Sequence, residues 1–157
     1  MQPQTIYLSD YKVSDFLIEK VDLNFDLNED VTHVKSRLTI YKNPASKNTA
    51  QDLILHGEAL DLKSLTLDGA TLQHSRYQIA GNQLTIFDVP ENFVLDVHTV
   101  IKPQENTALS GLYKSCGNFC TQCEAQGFRR ITYFLDRPDV MARYTTTVTA
   151  DEKRYPV

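Results

Sequence analysis

Along most of the chain apolar residues alternate with polar ones, the period-two signature of half-buried β-strands. Val21, Leu23, Phe25 and Leu27 are separated by charged or amide side chains, so one face of an extended segment is apolar. Asn28-Glu29-Asp30 reads as a turn, and Val34, Leu38 and Ile40 carry the same period onto a second strand. The two predict a hairpin, which Asn43-Pro44 breaks. Short strands follow at 53–55 and 60–67, the second ending at Asp68-Gly69, a pair that favours positive φ and a tight turn. Tyr77 and Ile79, then Gly81-Asn82, then Leu84 and Ile86 predict a further hairpin. Phe93, Leu95, Val97 and Ile101 alternate up to Pro103, and a last strand dense in β-branched Thr runs over 144–150.

Strands at this spacing, with turn chemistry between them, predict a mostly β fold: an antiparallel β-sandwich or a strongly curved sheet. No strand–helix–strand alternation supports a doubly wound fold. Residues 108–140 depart from the pattern. Their periodicity is weak, and one short helix is expected near 125–140, around 128–134. Their aromatic content (Tyr113, Phe119, Phe128, Tyr133, Phe134) argues against disorder.

Composition changes this picture little. A chain of 157 residues suits one domain, and 41% hydrophobic with 23% charged residues is ordinary for a soluble protein. The net charge is −4 with scattered basic residues, which excludes a phosphate-binding face and so a nucleic-acid partner. No apolar run reaches membrane-helix length. Met1-Gln2-Pro3-Gln4-Thr5 offers neither the basic start nor the apolar core of a secretion signal, so a cytoplasmic location is expected. The sequence stops at Tyr155-Pro156-Val157 directly after a strand, which reads as a cut end.

Candidate chemistry is sparse. The chain has no His-Glu-x-x-His pair, no Gly-x-Ser-x-Gly elbow, no phosphate-cradling Gly-rich loop and no dinucleotide fingerprint. His33, His56, His74 and His98 fall on predicted strands or turns and read as surface or half-buried strand residues. Cys116, Cys120 and Cys123 lie close together; an odd number in one segment is a poor disulfide framework. Cys120-x-x-Cys123 has zinc-like spacing, but a structural site needs four ligands. Reduced, structural thiols are favoured over zinc, and zinc over redox chemistry. Gln122 and Glu124, two apart on an extended segment, would point the same way and could accept hydrogen bonds from an ammonium group. On spacing alone, however, Glu124 reads as a surface residue paired with Arg129 or Arg130. Asp136-Arg137-Pro138-Asp139 reads as a turn with a local ion pair.

Two stretches carry a resemblance. One runs Asn106-Thr107-Ala108-Leu109-Ser110-Gly111-Leu112-Tyr113. The other runs from Cys120-Thr121-Gln122-Cys123-Glu124 through Gly127-Phe128-Arg129-Arg130 to Leu135-Asp136-Arg137-Pro138-Asp139-Val140. Together with the order of elements around them, they resemble the gluzincin zinc aminopeptidases of the bacterial aminopeptidase N type, in register over essentially the whole chain. The resemblance implies that 1–157 is the N-terminal, saddle-shaped β domain of a metallopeptidase that releases N-terminal amino acids from peptides. It places the zinc, its His-Glu-x-x-His helix and the exopeptidase motif downstream of Val157. No catalytic residue, no zinc ligand and no bound cofactor are therefore expected in this chain, which would be inactive alone. What carries over is that Glu124 helps bind the substrate's free α-amino group and that Gln122 lines the pocket for its first side chain. The implied partners are the peptide N-terminus and the downstream catalytic domain. Phe128 and Tyr133 are expected to pack beneath the loop, and Arg129, Arg130 and Arg137 to fasten it. A non-enzymatic β-sandwich that binds peptide or sugar is the alternative, and a small zinc adaptor built on the cysteines is a third reading. An unpaired last strand and an exposed docking face predict self-association.

Overall fold

The structure is a computed structural model and describes residues 7–156. Alternation becomes burial at the first hairpin. In β1 (Phe16–Leu27) and β2 (Thr32–Lys42), Val21, Leu23, Val34, Leu38 and Ile40 are all buried. Their antiparallel register pairs Val21 with Leu38 and Phe25 with Val34, so the apolar sets share one face. Asp22, Asn24 and Asp26 occupy the other, opposite Arg37, Lys35 and His33. β8 (Asn92–Ile101) continues the sheet beyond β2 with Phe93, Leu95 and Val97 on the apolar face.

The remaining strands are β3 (Leu53–His56), β4 (Asp61–Leu67), β5 (Ala70–Thr71), β6 (Tyr77–Ala80), β7 (Gln83–Ile86), β9 (Gly111–Ser115), β10 (Asn118–Gln122) and β11 (Arg143–Thr149). They form a six-stranded sheet in the order β11-β1-β2-β8-β4-β5, a three-stranded sheet β3-β7-β6 and the hairpin β9–β10. Leu53, Leu55, Leu84 and Ile86 of the smaller sheet join the inner face of the larger one in a single core. This is the sandwich arrangement the alternation predicts, because each sheet has one apolar face to cover. Asp68 and Gly69 sit at φ 50° and 81° in the tight β4–β5 turn, the positive-φ pair that their identities favour.

Three features differ from the sequence-based expectation. The segment 108–140 is not irregular throughout, since it folds β9 and β10 into a hairpin with Cys116 and Gly117 at φ 50° and 84° in its turn. In place of a helix over 128–134 there is only a single 3-10 turn, Phe128–Arg130. The last strand is parallel: β11 runs alongside β1, with Tyr144 beside Val21 and Val148 beside Phe25. Among the described residues no helix is long and apolar enough to cross a membrane.

β11 is paired with β1 on one side, and its other edge is free among the described residues. All seven of its residues are exposed, and its single charged residue, Arg143, is bound to Glu19 at 2.6 Å. A long edge with so little charge is a template for another strand. The chain by itself is expected to self-associate at high concentration, and Val148→Lys to suppress this. Sedimentation that finds a monodisperse monomer for the unmodified chain would contradict it.

Candidate functional site

The hairpin β9–β10 delivers its base, where Gly111 pairs with Gln122, onto a tightly built turn. Asn106 sets the entry: its side-chain amide donates to the carbonyls of Ser110 (2.8 Å) and Leu112 (2.9 Å) and its Oδ1 accepts from the Ala108 amide (3.1 Å). Beyond Gln122 the chain reverses over 123–127, closed by the Gly127 amide donating to the Cys123 carbonyl at 2.9 Å. Glycine is required at both ends of this construction. A Cβ on Gly111, at φ 76°, would lie 2.6 Å from the Cβ of Arg130, and one on Gly127 would lie 2.6 Å from the Gln122 carbonyl oxygen. The backbone therefore stacks on itself more closely than a side chain permits.

Behind the turn the chain is fastened to both sheets. Ser36 on β2 and Thr132 share a buried hydroxyl–hydroxyl hydrogen bond of 2.9 Å, and Thr99 on β8 donates to the Ile131 carbonyl at 3.2 Å. His56 and Phe134 exchange backbone hydrogen bonds of 2.8 and 3.0 Å. Phe128 packs edge-on against Phe134, with ring centroids 4.7 Å apart, and Tyr133 is buried against Gly57. These aromatics are packing residues, as expected.

The arginines are committed inward. Arg129 binds Asp136 through its Nε (2.8 Å) and its backbone amide (3.1 Å), and its guanidinium also reaches the Asp136 carbonyl. Asp136 is itself buried, so this pair is screened little by water. Arg130 is held by Glu58 on the loop after β3, and Arg137 forms the local pair with Asp139 at 2.8 Å while donating to the Lys12 carbonyl.

This allocation decides the environment of Glu124. The pairing with Arg129 or Arg130 that spacing favours does not form. Glu124 is exposed and makes no ion pair or side-chain hydrogen bond with another described residue. Gln122 is also exposed, at the last position of β10. The two do not share an extended segment, because β10 ends at Gln122 and Glu124 already lies in the turn. Strand alternation is thus not what sets their relative direction. The structure brings both to one end of the hairpin, at the turn bordered by Gly111 and Gly127. Sequence reasoning missed Asn106, Gly111 and Gly127 around this turn. The available signal was Gly111 and Gly127 flanking the motif.

The cysteines take no part in a shared centre. Cys116 is exposed in the β9–β10 turn, Cys120 lies within β10 and Cys123 is half-buried after it. Burial, and then the charge of Asp136, pushes the Cys123 thiol above its usual range, so it is protonated at neutral pH. Among the described residues no group of three or more His, Cys, Asp or Glu side chains is arranged to hold a metal.

His56 lies at the end of β3, beside Phe134. Burial first, and then the charge of Arg129, holds its ring below the usual imidazole range, and its Nδ1 is buried with no hydrogen-bond partner. The unfolded chain therefore takes up a proton at His56 before the folded one does as pH falls. The contribution to stability is complete above the unfolded value of about 6.5 and is lost progressively below it. His98, lowered by burial and by His33, adds in the same direction. Melting between pH 7 and 5 is expected to show falling stability, with a shallower slope in His56→Gln. Equal slopes in the two proteins would refute this.

The fold of two packed sheets finds its match among peptidase N-terminal domains. Residues 11–157 match the family model described as the peptidase M1 N-terminal domain, and the chain belongs to that family. It is 46% identical over 151 residues to aminopeptidase N of Caulobacter vibrioides, covering 96% of this chain and 17% of that protein. It is 43% identical over 155 residues to aminopeptidase N of Escherichia coli, with 99% and 17% covered. Among solved structures, Legionella pneumophila aminopeptidase A in complex with aspartic acid superposes with a TM-score of 0.89 at 36% identity, over 96% of this chain and 18% of that one. Leukotriene A4 hydrolase of Saccharomyces cerevisiae shares the fold, with a TM-score of 0.71 at 20% identity over 92% of this chain and 26% of that one. The chain thus spans about a sixth of the length of the aminopeptidases it matches.

Proposed function

We propose that this chain is the substrate-gripping N-terminal domain of a longer, cytoplasmic zinc aminopeptidase that releases N-terminal amino acids from peptides. In this reading Glu124 binds the substrate's α-ammonium group and Gln122 lines the pocket for its first side chain. The observation that supports it best is the electrostatic allocation at the turn. Arg129 and Arg130 are bound by Asp136 and Glu58, while the Glu124 carboxylate has no partner among the described residues. An exposed carboxylate not neutralised by its neighbours is a ready partner for a cation. Docking against the rest of the polypeptide would remove water from it, and an internal peptide bond, which lacks the ammonium, would leave the charge unpaired.

A catalytic zinc takes three protein ligands and an open position, and when bound supplies Lewis-acid polarisation of the scissile carbonyl. No group of three such ligands is arranged among the described residues. The reading accordingly assigns zinc to the catalytic domain of the same polypeptide, and to this chain the binding and orientation of the amino end. The test is to produce the longer gene product and measure zinc stoichiometry and hydrolysis of an aminoacyl reporter. One zinc per chain with turnover is expected there, and none from the 157-residue chain given zinc. Turnover by the short chain alone would overturn this division.

A further inference from the structure

We propose that His33 and His98 form a two-imidazole site for a divalent transition metal, with Cu(II) preferred over Ni(II) and Zn(II). The rings lie on the polar face of the six-stranded sheet, away from both the core and the Glu124 turn. Nδ1 of His33 and Nε2 of His98 face each other at 3.1 Å, with ring centroids 5.3 Å apart and planes tilted by 34°. Two nitrogens on one metal at bond lengths near 2.05 Å are about 2.9 Å apart at adjacent corners of a square plane. In a tetrahedron they are about 3.3 Å apart. The observed spacing falls between the two, and each ring must turn by about 35–45° from its present hydrogen-bonded direction to aim its lone pair at a shared metal beside the N···N line.

The backbone beneath is fixed. β2 and β8 are interior strands, paired on both sides by β1, by each other and by β4. The register sets His33 opposite Val100 and His98 opposite Lys35, which makes the imidazoles diagonal neighbours. Little ordering is left for a metal to impose. Both rings are part-exposed, and His98 borders a depression of about 490 Å³ lined also by Lys35, Ser64 and Asp96, open for entry. Asp26 stands opposite His33 on β1, while Lys35 and Lys63 bring positive charge to the His98 side.

In the metal-free protein one ring donates a hydrogen to the other. On binding, that ring shifts its hydrogen to its remote nitrogen, so both facing nitrogens present lone pairs and no proton is lost overall. With no third His, Cys, Asp or Glu completing a group, water fills the remaining positions. Such nitrogen-and-water coordination suits borderline metals in the order of their general affinities and does not suit Mg(II).

The test titrates the chain with Cu(II), Zn(II), Ni(II) and Mg(II) separately, in a background carrying Cys116→Ser, Cys120→Ser and Cys123→Ala so that thiols cannot contribute. One equivalent of Cu(II) is expected, with coupling to two nitrogens in its electron paramagnetic resonance spectrum, and no Mg(II). His33→Asn and His98→Asn should each weaken Cu(II) by about 10- to 100-fold. Undiminished binding in the double variant, or no binding of Cu(II), Ni(II) and Zn(II) to the parent, would overturn the proposal. Should an asparagine variant not fold, imidazole nitrogen resonances of the parent answer the same question. Zn(II)-induced shifts at both rings support the site, and their absence at either ring rejects it.

Discussion

Under the proposed aminopeptidase function, Glu124→Gln in the longer polypeptide is expected to lower kcat/KM for peptides with a free N-terminus by roughly thirtyfold. The figure follows from losing one charge-assisted contact worth about 2 kcal/mol in a partly desolvated site. Because the contact forms in the ground state as well as the transition state, most of the loss should appear in KM. The fold should not respond, since Glu124 is exposed and engages no described side chain. The melting temperature of the variant is therefore expected to match that of the parent. A desamino substrate analogue gives the sharper check. If Glu124 grips the ammonium, removing the ammonium and removing the carboxylate take away the same interaction, so the two losses will not add. Additive losses, or unchanged kinetics in Glu124→Gln, would remove this residue from the site. Gln122→Ala is expected instead to change the ranking of substrates by their first side chain.

The sequence made the sandwich legible wherever a strand has one buried face. Val21, Leu23, Leu38, Ile40, Leu95 and Val97 alternate because burial alternates beneath them. The same signal is silent for β9 and β10, which form their own two-stranded sheet and bury only Gly111 and Leu112 between them. It is silent also on the direction of β11. That strand pairs with β1 across more than a hundred residues, and none of its own side chains is buried to reveal which neighbour it has. The motif made Glu124 a candidate, whereas its freedom from the nearby arginines was not legible. Arg130 is claimed by Glu58, 72 residues away, and no local spacing rule reaches that far. Arg129 is claimed by Asp136, which local reading had assigned to a separate turn.

The part of the site hidden most completely is the space around Gly127, and it leads to the second large effect. Gly127 has φ −89° and ψ −15°, a conformation any residue adopts, so backbone freedom does not explain the glycine. Space does. An alanine Cβ would lie 2.6 Å from the Gln122 carbonyl oxygen, 2.8 Å from Ser110 Oγ and 2.9 Å from Cys123 Cα. Two of these three atoms belong to the backbone at the end of β10, so relief requires moving the strand end that carries Gln122 and launches Glu124. Overpacking of this kind costs about 2 kcal/mol, and in a domain of this size lowers Tm by roughly 5 °C. Gly117→Ala is the internal comparison. Its Cβ meets nothing within 4 Å, and only its φ of 84° penalises the change, by about 1 kcal/mol. Calorimetry should therefore rank Gly127→Ala well below Gly117→Ala in stability. Under the proposed function, only Gly127→Ala should also raise KM in the longer polypeptide, because it alone displaces the turn that would present the carboxylate. Equal stability of the two variants would mean that the close approach at Gly127 relaxes freely. A lowered Tm with unchanged KM would mean that the turn supports the fold without positioning Glu124.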